Sequence, residues 1–170
     1  MAAEVPHSSP RNAVAQWQRI EQLVRTWLDE RQMLLTLLCS LQGIRGLSAD
    51  TLSQPQRLQR FCELLMDYIS AGYFEIYREL ANEARVFGQA DPRLVEHILQ
   101  RLEASTDAAL AFNAAFDDAQ LSPGKLGRLP DHLTPLMTQL EERFALEDQL
   151  ILSLHACTLE RAPTPVLRHH

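Results

Sequence analysis

Long hydrophobic runs are missing from this chain. No stretch of about 18 apolar residues occurs, so no membrane-spanning helix is expected among its 170 residues. Cysteine is scarce as well. The three residues, Cys39, Cys62 and Cys157, are odd in number and far apart. Without a C-x-x-C pair there is neither a zinc knuckle nor a dithiol redox motif. Thiols buried as small hydrophobes are expected instead. Basic charge is in the minority, with 16 Lys and Arg against 22 Asp and Glu, a net charge of -6. A free-standing nucleic-acid binder carries a basic surface. Here Arg60, Arg78, Arg85, Arg93 and Arg101 are scattered, so direct nucleic-acid binding is disfavoured.

Other chemistry is lacking too. There is no Gly-rich phosphate loop and no context for a nucleophile elbow. His97, His132 and His155 have no Asp or Glu three or four residues earlier. The Glu-x-x-His pairs of di-iron bundles are therefore missing, and neither metal nor cofactor is expected. The start, MAAEVPHSSPRNA, has no basic segment followed by an apolar one, so no signal peptide is read there and a cytoplasmic protein is expected.

Helical periodicity is what the chain does have. Residues 1–10 read as a loose arm, 11–161 as a single domain and 162–170 as a second arm. The first helical block runs from about Arg11 to Leu41, with Val14, Trp17, Ile20, Val24, Trp27, Leu28, Leu34, Leu35 and Leu38 at spacings of three and four. Gly43 would cap its end. The second block runs from about Gln54 to Phe87, opened by a capping box of Ser53 and Gln56 and closed by Gly88. Asp91 and Pro92 restart the chain as N-cap and first helical residue. That third block carries Leu94 or Val95, Ile98, Leu99, Leu102, Ala109, Phe112 and Phe116, and Ser122-Pro123-Gly124 breaks it. The fourth starts between Pro130 and Thr134, with Leu133, Met137, Leu140, Phe144, Ile151 and Leu154 on one face. An all-α fold is expected, an antiparallel up-and-down bundle of four long helices.

Charges interrupt these faces. Arg31 continues the stripe of the first helix and Glu147 that of the fourth; Asp67 and Ser70 share a face with Glu63 and Phe74 on the second. A buried charge must be paired or neutralised. One expectation is a buried polar cluster of Arg31, Asp67 and Glu147, with Arg31 pairing Glu147 or Asp67. The other is that Asp67, Ser70 and Phe74 line an exposed groove that receives a partner. The segment Ser70-Ala71-Gly72 sharpens the question, because Gly costs about 1 kcal/mol against Ala inside a helix. Either something approaches closely there, or neighbouring helices pack tightly against it.

Three segments together carry a resemblance: WLDERQMLL (Trp27–Leu35), FCELLMDYISAGYFEIY (Phe61–Tyr77) and RFALEDQLI (Arg143–Ile151). In this order and spacing they resemble the Rsd/AlgQ family of bacterial regulators, over roughly residues 11 to 160. The position after Gly72, commonly His in that family, is Tyr73 here, which removes a titratable group. The resemblance implies a helical, non-enzymatic anti-sigma factor. It implies sequestration of the C-terminal, -35-recognising domain of the primary sigma factor. It implies a partner-binding role for Asp67, Ser70, Ala71 and Phe74, with Tyr73 beside them, and with Trp27, Leu28 and Arg31 lining the same groove. Further cytoplasmic regulators on another face are compatible with this. The alternatives are a hemerythrin-like bundle holding a metal or small ligand, and an enzyme built on Arg31, Asp67 and Glu147.

Overall fold

Local chemistry starts and stops the helices where the sequence places the signals. Ser53 is extended, and its hydroxyl accepts from the Gln56 amide while the Gln56 side chain accepts from the Ser53 amide. Asp91 caps the third block through the Arg93 amide at 3.0 Å. Gly43 and Gly88 both take positive φ, 77° and 67°, which glycine adopts without a steric cost. Replacing Ser53 by Ala is expected to cost about 1 kcal/mol of stability, read as a shift in the urea midpoint.

The computed structural model describes residues 10–43, 52–86, 88, 91–117 and 121–156. Helix α1 spans Pro10–Leu41 and α2 spans Gln54–Ala71. A π-helical turn, Gly72–Ile76, joins α2 directly to α3, Tyr77–Val86. Then come α4, Pro92–Phe116, the short α5, Pro123–Gly127, and α6, Leu129–Ile151, which runs into a second π-helical turn, Leu152–Ala156. No strand occurs among the described residues. Four long helical blocks thus pack on one another, α1 on α2, α2 on α4, and α4 on α6 most extensively. The arms read at 1–10 and 162–170 fall largely outside the described residues, as does Cys157, although Pro10 already belongs to α1.

Four expectations need correction. Ser122-Pro123-Gly124 ends nothing by itself; Ser122 caps α5, its hydroxyl accepting from the Lys125 amide. The second block is not one uniform helix but is widened at Gly72–Ile76. The core face of α6 is turned from the expected stripe. Leu136, Arg143, Leu146, Glu147 and Leu150 are buried with Leu133 and Leu140, whereas Met137, Phe144 and Ile151 are only half-buried. The reason is the partner: α6 presents to α4 the face that meets it most fully. Val14, expected on the core stripe of α1, is exposed. Of the thiols, Cys62 is buried and Cys39 half-buried. Burial pushes Cys62 up to about 12, so it stays an inert thiol.

Candidate functional site

Beneath the widened turn lies a polar network in the middle of the core. Its centre is Glu147, which has no solvent exposure, nor does Arg143 one turn earlier on α6. Four donors reach the Glu147 carboxylate. Tyr68 donates to Oε2, and Tyr77 donates to Oε1 at 2.6 Å. Arg143 Nε reaches Oε1 at 2.9 Å and Arg31 Nη2 reaches Oε2 at 3.0 Å. Arg143 spends its remaining donors on Ser105 and Thr106 of α4 and on the Tyr77 hydroxyl, all at about 3 Å. Arg31 also donates to the Tyr68 hydroxyl and pairs with Asp148, and its guanidinium lies over the Phe144 ring at 4.9 Å. Burial first, and then the charge of Glu147, push both tyrosines well above the ordinary phenol range. They therefore remain protonated donors. Every partner is supplied by the protein, as a buried charge requires.

Arg31 thus pairs with Glu147 and not with Asp67. Asp67 and Ser70 stand exposed on the outer side of α2, so Asp67 lies outside the cluster expected to contain it. The helix turns Tyr68 inward, and its neighbour Asp67 consequently points away. Trp27 does not line a groove either. It is buried, stacked on Tyr68 at 4.9 Å, and its indole N–H donates to the Tyr68 carbonyl. Leu28 and Ala71 are half-buried beside it. Arg143, Tyr68, Tyr77 and Ser105 belong to the network without having been singled out in the sequence. One signal existed: Ser105 fills a position of the α4 stripe between Leu102 and Ala109, where an apolar residue would be expected.

The outer surface has a different character. Phe74 is 73% exposed, Tyr73 47% and Met33 50%. A solitary exposed apolar residue means little, but these sit among carboxylates. Burial raises the Glu30 carboxyl, and the nearby charges of Asp67 and Glu75 raise it further. Glu30, Asp67 and Glu75 therefore share one negative field beside Phe74. From Asp67 a groove of about 370 Å³ runs between α1 and α2, lined by Met33, Leu37, Leu64, Arg60 and Glu63. Glu30 and Met33 escaped sequence reading because their place on this surface depends on how α1 lies against α2.

A second buried cluster lies at the C-terminal π-helical turn. His155 meets Glu83 through Nδ1 at 2.8 Å and Glu21 through Nε2 at 2.6 Å. Trp17 stacks on its ring at 4.9 Å. Among the described residues, no group of three or more His, Cys, Asp or Glu side chains is arranged to hold a metal ion. None of the described helices is long and apolar enough to cross a membrane.

Comparison with known proteins finds relatives of the chain. The profile of the family described as "Regulator of RNA polymerase sigma(70) subunit, Rsd/AlgQ" matches residues 8–155. The chain is similar to the Regulator of sigma D of Yersinia pseudotuberculosis, 31% identical over 133 residues, covering 76% of this chain and 78% of the relative. The Regulator of sigma D of Yersinia enterocolitica is 29% identical over the same length and coverage. That of Pectobacterium atrosepticum is 28% identical over 134 residues, covering 78% of this chain and 88% of the relative. No solved structure gives a significant match.

Proposed function

The chain belongs to the Rsd/AlgQ family of regulators of the RNA polymerase sigma-70 subunit, and from that premise we propose that it sequesters the C-terminal, -35-recognising domain of the sigma factor through the surface around Asp67 and Phe74. It is an anti-sigma factor regulating transcription and not an enzyme. The observation that carries the proposal is Phe74, exposed beside the carboxylates Glu30, Asp67 and Glu75. A domain that reads promoter DNA neutralises phosphates with Lys and Arg. An acidic surface complements it and, once bound, occludes its phosphate and base contacts. Phe74 serves as the apolar anchor, since large exposed aromatics at the centre of an interface dominate its energy. Asp67 accepts from a basic side chain of the partner, Ser70 and Ala71 form the floor beside it, and Tyr73 flanks the anchor. Trp27, Leu28 and Arg31 support that floor from below. The protein acts where its partner is, in the cytoplasm.

Calorimetric titration with the isolated C-terminal domain of the cognate primary sigma factor tests this. One-to-one binding that weakens at higher salt is expected. Absence of binding at micromolar concentrations would refute the proposal. Asp67→Arg is expected to weaken binding more than about tenfold, with little change in melting temperature because Asp67 is exposed. Unchanged affinity would remove Asp67 from the interface.

A further inference from the structure

Residues of an α-helix advance about 100° each. Tyr68 and Tyr77 are nine residues apart, about two and a half turns, so a regular helix would point them to opposite sides. Yet both hydroxyls donate to the two oxygens of one carboxylate, Glu147. The π-helical turn resolves the conflict. The Tyr77 amide reaches back five residues to the Gly72 carbonyl, so this turn takes up one residue more than an α-turn. The effective spacing falls to eight residues, which sets the tyrosines only about 80° apart.

The wide turn also explains Gly72. Its φ is -55°, so no unusual backbone angle calls for glycine. A Cβ there would lie 3.0 Å from the Tyr77 hydroxyl oxygen and 3.1 Å from a ring carbon of Trp27. Both neighbours are held, Tyr77 by Glu147 and Arg143, and Trp27 by Tyr68. Gly72 and Ile76 are buried at the two ends of the turn, and the three residues between them, Tyr73, Phe74 and Glu75, are all exposed.

We propose that the turn Gly72–Ile76 is a one-residue insertion that presents Tyr73, Phe74 and Glu75 together on the sigma-binding surface, and that Tyr77, tied to Glu147 and Arg143, is the positioning residue that sets it. The inference rests on the reading of that surface as the sigma site. The π-helical turn gives two constraints a common solution. The helix flanks keep the register that buries Tyr68 and Tyr77, and the surplus residue is taken up on the outer side, where Tyr73, Phe74 and Glu75 are exposed in succession. A π-turn inside an α-helix is frequently found at a functional site.

Deleting Glu75 tests this, because removing one residue from the turn restores an α-helical path without changing the facing of either flank. The deletion variant is expected to unfold cooperatively, with helical circular dichroism like that of the parent. It is expected to bind the sigma domain at least about tenfold more weakly. Glu75→Ala, which keeps the turn and removes the same carboxylate, is expected to stay within about threefold. Tyr77→Phe removes the tie and keeps the ring; a loss of about three- to tenfold is expected. Ile98→Val, in the core on α4, is expected to lower the melting temperature with affinity unchanged, which separates positioning from general stability. The outcomes are distinguishable. If the parent does not bind, or Phe74→Ala binds as the parent does, the reading of the site fails. If Phe74→Ala weakens binding but Tyr77→Phe does not, the positioning role of Tyr77 is overturned, whether or not the deletion variant folds. Parent-like affinity in a folded deletion variant would overturn the role of the turn.

Discussion

Glu147→Ala is expected to lower the free energy of unfolding by about 3–5 kcal/mol. The carboxylate receives Tyr68, Tyr77, Arg143 and Arg31, and it has no contact with solvent. Removing it leaves the guanidinium of Arg143 fully buried with only hydroxyl partners, Ser105, Thr106 and Tyr77. Those hydroxyls solvate the charge without neutralising it. Two phenol hydroxyls lose their acceptor at the same time. Domains of this size are stable by about 5–15 kcal/mol, so the variant falls near the limit of folding. Urea unfolding followed by circular dichroism measures the effect as a lower midpoint at unchanged slope. Replacing Arg143 and Glu147 together by Met and Leu is expected to cost less than Glu147→Ala alone, because no charge is left stranded. A single-variant loss below about 1 kcal/mol would mean that Arg143 finds water or another carboxylate when Glu147 is gone.

The second large effect depends on pH. Burial works against a charge on His155, but its hydrogen bonds to Glu83 and Glu21, followed by their charges, outweigh it and raise the imidazole above its usual value. Each ring nitrogen faces a carboxylate oxygen, an arrangement that only the imidazolium satisfies on both sides. The stability gained from a raised pKa is fully present below the unfolded value, about 6.5. It is lost as pH rises through the folded value. His155→Gln is therefore expected to destabilise the protein by about 3 kcal/mol at pH about 6. The gap to the parent should narrow as pH is raised toward about 9. Glu83 heightens the effect, since it is fully buried and its Oε1 has no hydrogen-bond partner among the described residues. Melting temperatures of both proteins across this range give the answer. A gap that widens as pH rises would show that the imidazole is held neutral in the folded protein, and one that does not change would show that folding leaves its protonation unshifted.

The two clusters mark the boundary between local and tertiary information. The helical blocks were legible because their signals are local. Ser53 with Gln56, Asp91 with Pro92, and Gly43 and Gly88 act within a few residues of themselves. The repeat of apolar residues every three or four positions identified all four long blocks, and the surplus of acid pointed away from nucleic acid. The short, ordered match of three segments was enough to indicate the family. Arg31 and Glu147 were conspicuous as charges on apolar faces, and their pairing joins positions 116 residues apart.

Other features existed only once the helices had met. The π-helical turn leaves little mark on periodicity, because the buried residues on either side of it, Tyr68 and Ile69 before and Ile76 and Tyr77 after, come in adjacent pairs that read as core in either register. Tyr68 and Tyr77 read as ordinary core aromatics until one carboxylate was found to accept from both. Arg143 became a core residue because α4 offers it Ser105 and Thr106. The sequence leaves open whether Asp67 faces the core or a groove, and the inward turn of Tyr68 decides for the surface. The sequence by itself determined where helices begin, end and repeat, since those choices depend on neighbours along the chain. Tertiary packing alone decided which way each helix faces, since that depends on which side chains from distant segments can satisfy one another's charge, volume and hydrogen bonds.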